Sequence, residues 1–84
     1  MVRVTVRYWA SVRAAAGVEG DVVDAETVSG ALAAVADLRP SQEFAGRVEI
    51  SSVLVDGLVV PRTDTATPLP EGSVVEILPP FAGG

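Results

Sequence analysis

The sequence predicts an α+β fold: one main helix packed across a mixed sheet of about five strands, with a short helix after the first strand. Three features carry this expectation. Apolar and polar residues alternate over Val2–Tyr8, and Ser73–Leu78 is an apolar, β-branched run with Val75 and Ile77 on one face, both patterns of strands. One stretch between them, from Thr27 to Leu38, spaces its apolar residues at helical period. Asp56-Gly57 sits between two β-branched runs, which is the signature of a tight hairpin.

The elements follow in order. Val2, Val4, Val6 and Tyr8 form one face of the first strand, with Arg3, Thr5 and Arg7 on the other. Trp9 to Ala16 breaks the alternation, is rich in helix formers and stops at Gly17, so it reads as one or two helical turns with a glycine C-cap. Glu19–Asp24, around Val22-Val23, reads as a second strand antiparallel to the first. Asp21 and Asp24 there read as a solvated strand edge. Thr27 is placed to cap the main helix, beside Glu26. Val28, Leu32, Val35 and Leu38, with Ala31, fall on one helical face, and Pro40 ends the run. Gly30 in the first turn costs about 1 kcal/mol relative to alanine, with no compensating reason in the sequence.

Ser41–Ala45 adds a short turn of helix that returns Phe44 to the core. Val48–Val55 reads as the third strand, most firmly over Ser52–Val55. Leu58–Val60 pairs back across the Asp56-Gly57 turn until Pro61 stops it. A loop follows to Pro70-Glu71-Gly72, a turn. The last strand, Ser73–Leu78, puts Val75 and Ile77 on one face and Val74, Glu76 and Leu78 on the other. Pro79-Pro80 ends it and starts a stiff exit. The first and last strands are the best central candidates. Residues 1–80 then form one domain and residues 81–84 an extended tail.

Composition narrows the function. Eighty-four residues with 49% hydrophobic content make one small domain. A formal charge of −5 and a pI near 4.4 argue against nucleic acid. They fit solubility or a basic partner surface. Cysteine and histidine are both absent, which removes thiol nucleophiles, the commonest metal ligands and the commonest general base. No apolar run is long enough for a bilayer and no signal-peptide pattern opens the chain, so a cytoplasmic protein with no membrane partner is expected. All six basic residues are arginine. Genomic base composition accounts for that; so does a chemical need to avoid amines near an activated acyl group, because a guanidinium is a poor nucleophile.

The sequence ends Pro79-Pro80-Phe81-Ala82-Gly83-Gly84. Two glycines without Cβ atoms make the narrowest end a chain can have. With Tyr8-Trp9-Ala10-Ser11-Val12-Arg13 after the first strand, Val55-Asp56-Gly57 at the hairpin and Leu69–Gly84 as the ending, the whole chain resembles the ubiquitin-like β-grasp fold. More narrowly it is similar to the MoaD/ThiS sulfur-carrier family. Trp9 stands where that family usually has Phe, Val12 where it has Leu, and Ser73 where it has Asp. The long stretch before the main helix and the Pro-Pro favour the branch of the molybdopterin synthase small subunit over thiazole carriers. Carriers for cysteine synthesis and ubiquitin-like protein modifiers remain alternatives.

The resemblance implies a carrier whose catalytic groups lie on other proteins. An adenylating partner of the MoeB type joins the Gly84 carboxylate to AMP from ATP, because a carboxylate alone lacks a leaving group. A sulfur donor then displaces AMP and leaves a thiocarboxylate. That sulfur goes to cyclic pyranopterin monophosphate on a large subunit, in a heterotetramer of two small and two large chains. Gly84 carries the sulfur. Gly83 and Ala82 lie in a narrow channel. Phe81 is either an anchor at the channel mouth or a ring folded back on the sheet. Extended, residues 81–84 reach about 13 Å at ~3.4 Å per residue. Pro79 and Pro80 restrict the tail in advance. Val74 and Leu78 form a partner patch if exposed, or are covered by the helix at residues 9–16. The chain itself is expected to bind no cofactor or metal.

Overall fold

A computed structural model describes residues 2–80, apart from the Arg62 side chain. The elements are β1 (Arg3–Tyr8), α1 (Ala10–Ala16), β2 (Gly20–Asp24), α2 (Val28–Leu38), α3 (Gln42–Glu49), β3 (Ser52–Val55), β4 (Leu58–Val60), a 3-10 turn at Arg62–Asp64, and β5 (Val74–Leu78). The five strands form one sheet in the order β2-β1-β5-β3-β4. β1 and β5 run parallel, with Thr5 opposite Val74 and Tyr8 opposite Ile77. The neighbouring pairs β1–β2, β3–β4 and β3–β5 are antiparallel. The first and last strands therefore lie side by side, as their apolar content implies, and β5 is bonded on both edges.

Alternation fixes which side of the sheet is covered. Val4, Val6 and Tyr8 of β1, Val53 of β3, and Val75 and Ile77 of β5 are buried on one side. They meet Val12 of α1, Val28, Ala31 and Val35 of α2, and Phe44 and Val48 of α3 in one cluster. Burying each such Val, Ile or Phe contributes about 1.5–3 kcal/mol. Tyr8 meets Phe44 edge-on at 5.3 Å between ring centroids, which suits the opposed charges of ring edge and ring face.

Local chemistry sets the boundaries. Gly17 adopts φ 79° and donates its N–H to Arg13 O, closing α1. The Thr27 hydroxyl accepts the Gly30 N–H at 3.1 Å. A Cβ on Gly30 would come within 3.3 Å of that same oxygen, a reason for glycine that the sequence did not offer. Asp56 and Gly57 take φ 49° and 87°, the paired positive values of a primed hairpin turn. The Asp56 carboxylate also accepts the Val74 N–H at 2.9 Å, so the hairpin tip pins the start of β5.

Three expectations need correction. The third strand begins at Ser52, because Val48 and Glu49 belong to α3. That helix runs well past Ala45, to Glu49. Ser41 caps it by accepting the Phe44 N–H at 3.2 Å, and Phe44 and Val48, four apart, share its buried face. Leu38 is 54% exposed; it lies at the margin of the α2 stripe, in the last turn, and Ala31 and Val35 bury that face instead.

Candidate functional site

The site proposed from the sequence is the end of β5 together with the tail beyond it. Phe81, Ala82, Gly83 and Gly84 lie outside the described residues. The frame that delivers them is described. β5 alternates buried Val75 and Ile77 with half-buried Val74, Glu76 and Leu78. Val12 of α1 belongs to the same core as Val75 and Ile77, so α1 lies on the helical side. It does not cover Val74 and Leu78, which face the other way. Pro79 is half-buried and Pro80 exposed.

Registers show what shares that outer face. Thr5 stands beside Val74, Arg7 and Leu54 flank Glu76, and Ser52 pairs with Leu78. Val59 continues the row beyond Leu54 and is exposed. Leu54, Leu78 and Val59 thus make a small apolar strip next to the exit of the chain. Trp9 edges it. The Trp9 N–H donates to Ile77 O at 3.1 Å, and its indole Nε1 donates to Glu76 Oε2 at 3.0 Å. Arg7 lies 5.4 Å from the Trp9 ring centre, within cation–π range. Ala10, directly after Trp9, sits at φ 49°. That left-handed conformation costs an alanine about 1–2 kcal/mol, and it lets the chain turn from β1 into α1 while Trp9 stays on the sheet. The aromatic was visible in the sequence as a departure from Phe; its bond to Glu76 was not.

A second polar cluster escaped the sequence reading. Asp21 is no solvated edge: its side chain is 12% exposed. Arg39 Nε and its terminal nitrogen each donate to one carboxylate oxygen, at 2.7 and 2.6 Å. The Tyr8 hydroxyl donates to Asp21 Oδ2 at 2.6 Å. The guanidinium beside Asp21 holds its carboxyl below the usual carboxylate range, against the opposing effect of burial. Burial, then the hydrogen bond to Asp21, push the Tyr8 phenol far up. Asp21 in turn raises Arg39. The cluster joins β1, β2 and the residue after α2.

No group of three or more metal-ligating side chains occurs among the described residues. No helix among them is long and apolar enough to cross a membrane.

The comparisons agree with this geometry. The ThiS family model matches residues 6–84. Small archaeal modifier protein 1 from Methanosarcina acetivorans superposes with a TM-score of 0.80 and 25% identity, covering 100% of this chain and 98% of that one. Its Haloferax volcanii counterpart gives 0.81 and 21%, over 96% and 100%. A chain of the complex of subunits 1 and 2 of molybdopterin-converting factor from Helicobacter pylori 26695 gives 0.70 and 20%, over 99% and 100%. Among curated proteins none matches. The mixed five-stranded sheet with its helices is the ubiquitin-like β-grasp fold.

Proposed function

The chain belongs to the ThiS family, and we propose that it is a sulfur carrier acting as the small subunit of molybdopterin synthase. The observation that carries this reading is the placement of β5. It is central, bonded to β1 and β3, and in sequence it is followed by Pro79-Pro80 and then Gly83-Gly84. A rigid body thereby presents a narrow backbone end that enters a partner's site without side chains in the way.

The chemistry is set by the groups the chain lacks. A carboxylate resists substitution until its oxygen becomes part of a leaving group. A partner that couples Gly84 to AMP from ATP supplies one, and sulfur then replaces it. The thiocarboxylate is a tethered nucleophile, delivered to cyclic pyranopterin monophosphate on a large subunit. Leu78, Val74, Leu54 and Trp9 form the surface that such subunits grip, and Phe81 to Gly84 enter their channels. The likeness to one chain of a two-subunit molybdopterin-converting factor supports the large-subunit partner. A second reading, a ubiquitin-like modifier whose tail forms amide bonds, is favoured by the likeness to small archaeal modifier protein 1.

One assay separates them. The chain is incubated with an adenylating partner of the MoeB type, ATP and a sulfur donor, and its intact mass is taken. Exchange of one oxygen for sulfur at Gly84 supports the carrier. Heavier protein conjugates support the modifier. An unchanged mass with a partner that is active on its own carrier defeats both. A chain lengthened by one residue past Gly84 is expected to stay unmodified at that glycine.

A further inference from the structure

Resting on the reading that Gly84 is the activated end, we propose that this chain is a donor only. None of its own side chains intercepts the activated carboxyl group, which is consumed only by a nucleophile that another molecule brings. The side chains that attack acyl groups near neutral pH are the lysine amine, the cysteine thiolate and the histidine imidazole. All three residue types are missing from the 84 positions. The arginines that replace lysine stay protonated and do not attack. Serine and threonine hydroxyls react only with a base beside them, and the usual base, imidazole, is absent.

The eleven carboxylates give with an activated acyl group only an anhydride, which water returns to the two free acids, so the single tyrosine is the remaining candidate, and the fold disarms it. Tyr8 is 2% exposed. Its hydroxyl is committed as a donor to the Asp21 carboxylate at 2.6 Å, and that carboxylate is itself held by Arg39. Burial and the neighbouring negative charge both oppose formation of phenolate. The phenol oxygen is thus neither ionised nor reachable.

Sheet topology sets the start of β1 apart as well. β1 and β5 are parallel, with Thr5 at the level of Val74, so Arg3 and Leu78 mark opposite ends of the central pair. They are about 20 Å apart, six residues at ~3.3 Å. The six residues after Leu78 extend to roughly the same length, and are spent in merely doubling back to the level of Arg3.

The reaction so avoided is aminolysis. An amine nitrogen would attack the Gly84 carbonyl carbon, a C–N bond would form, and the bond to the AMP oxygen or to sulfur would break. AMP or the thiol would leave and the amine proton would pass to solvent. As a carrier, the chain then keeps its activated end for sulfur chemistry. As a modifier, it would be attached as single units and would not be branched through lysine.

The test needs no partner. A Gly84 thioester of 2-mercaptoethanesulfonate is installed on the full chain and on an Ile50→Lys variant, and both are followed by intact mass. Ile50 is 57% exposed and lies two residues before Ser52, which pairs with Leu78, so lysine there falls within reach of the tail. The wild-type thioester is expected to decay to the free acid alone. The variant is expected to decay about tenfold faster or more, to a product one water lighter than the free acid, because a nearby amine acts at high effective concentration. A water-short or dimeric wild-type product in amounts rivalling the free acid overturns the proposal. So does a variant that decays no faster than wild type. Either failure leaves the sulfur-exchange assay above unaffected, so the two readings fall separately.

Discussion

Asp21 ties three parts of the chain together through two partners. It accepts from Tyr8 on β1 and from Arg39 beyond α2 while sitting on β2. Charge-assisted bonds at 2.6–2.7 Å with partial burial are the strong kind. Asp21→Asn is expected to cost about 2–3 kcal/mol near neutral pH, measured by urea unfolding. The pH dependence has a defined sign. The folded carboxyl is held below its ordinary value of 3.8, so its contribution is complete above that value and fades as pH falls through the folded pKa. The gap between wild type and Asp21→Asn should therefore narrow below about pH 4. A gap that stays constant to pH 2 would show that the ion pair does not contribute. At the alkaline end the raised Tyr8 phenol favours the folded state below its ordinary value of 10.0 and loses that effect above it. Ser73 is the opposite case. Its buried hydroxyl finds no partner among the described residues.

Elements differ in how openly the sequence displays them. β1, β5, α2 and the Asp56-Gly57 hairpin were legible because each has a local cause: alternation, a stripe with a cap, or a turn that needs positive φ. α3 was not. Gly46 weakens helix propensity in its middle, and Val48, Ile50 and Val53 look like one β-branched run. Only the shared core contact of Phe44 and Val48 decides that the helix continues. The Asp21 cluster was hidden for a similar reason, since its partners are 13 and 18 residues away. At the candidate site, the alternation along β5 exposed the two faces, but the bond from Trp9 to Glu76, 67 residues apart, could not be read from either residue. Gly20 belongs with these silent positions. A Cβ there would run into Val6 O, a backbone contact that cannot swing aside. Gly20→Ala is expected to lower stability by about 1–3 kcal/mol by forcing β2 off β1. A thermal midpoint unchanged from wild type would mean that β2 shifts freely.

Among the described residues the sheet has one covered and one open side. Helices close the side of Val75 and Ile77, and the other carries Val74 at the start of β5 and Leu78, Leu54 and Val59 toward the chain's exit. On the proposed reading this open side is where a large subunit docks. Leu78→Glu is expected to weaken that complex at least tenfold by calorimetry, about 1.4 kcal/mol or more. Far-ultraviolet circular dichroism should stay like the wild type's. An affinity matching wild type would remove Leu78 from the interface. The central position of β5 also has a mechanical side. Tension at Pro79 is borne by hydrogen-bond ladders along both edges of one strand, loaded lengthwise in shear rather than peeled open one rung at a time. A companion can therefore haul on this cord without unravelling the spool to which it is tied.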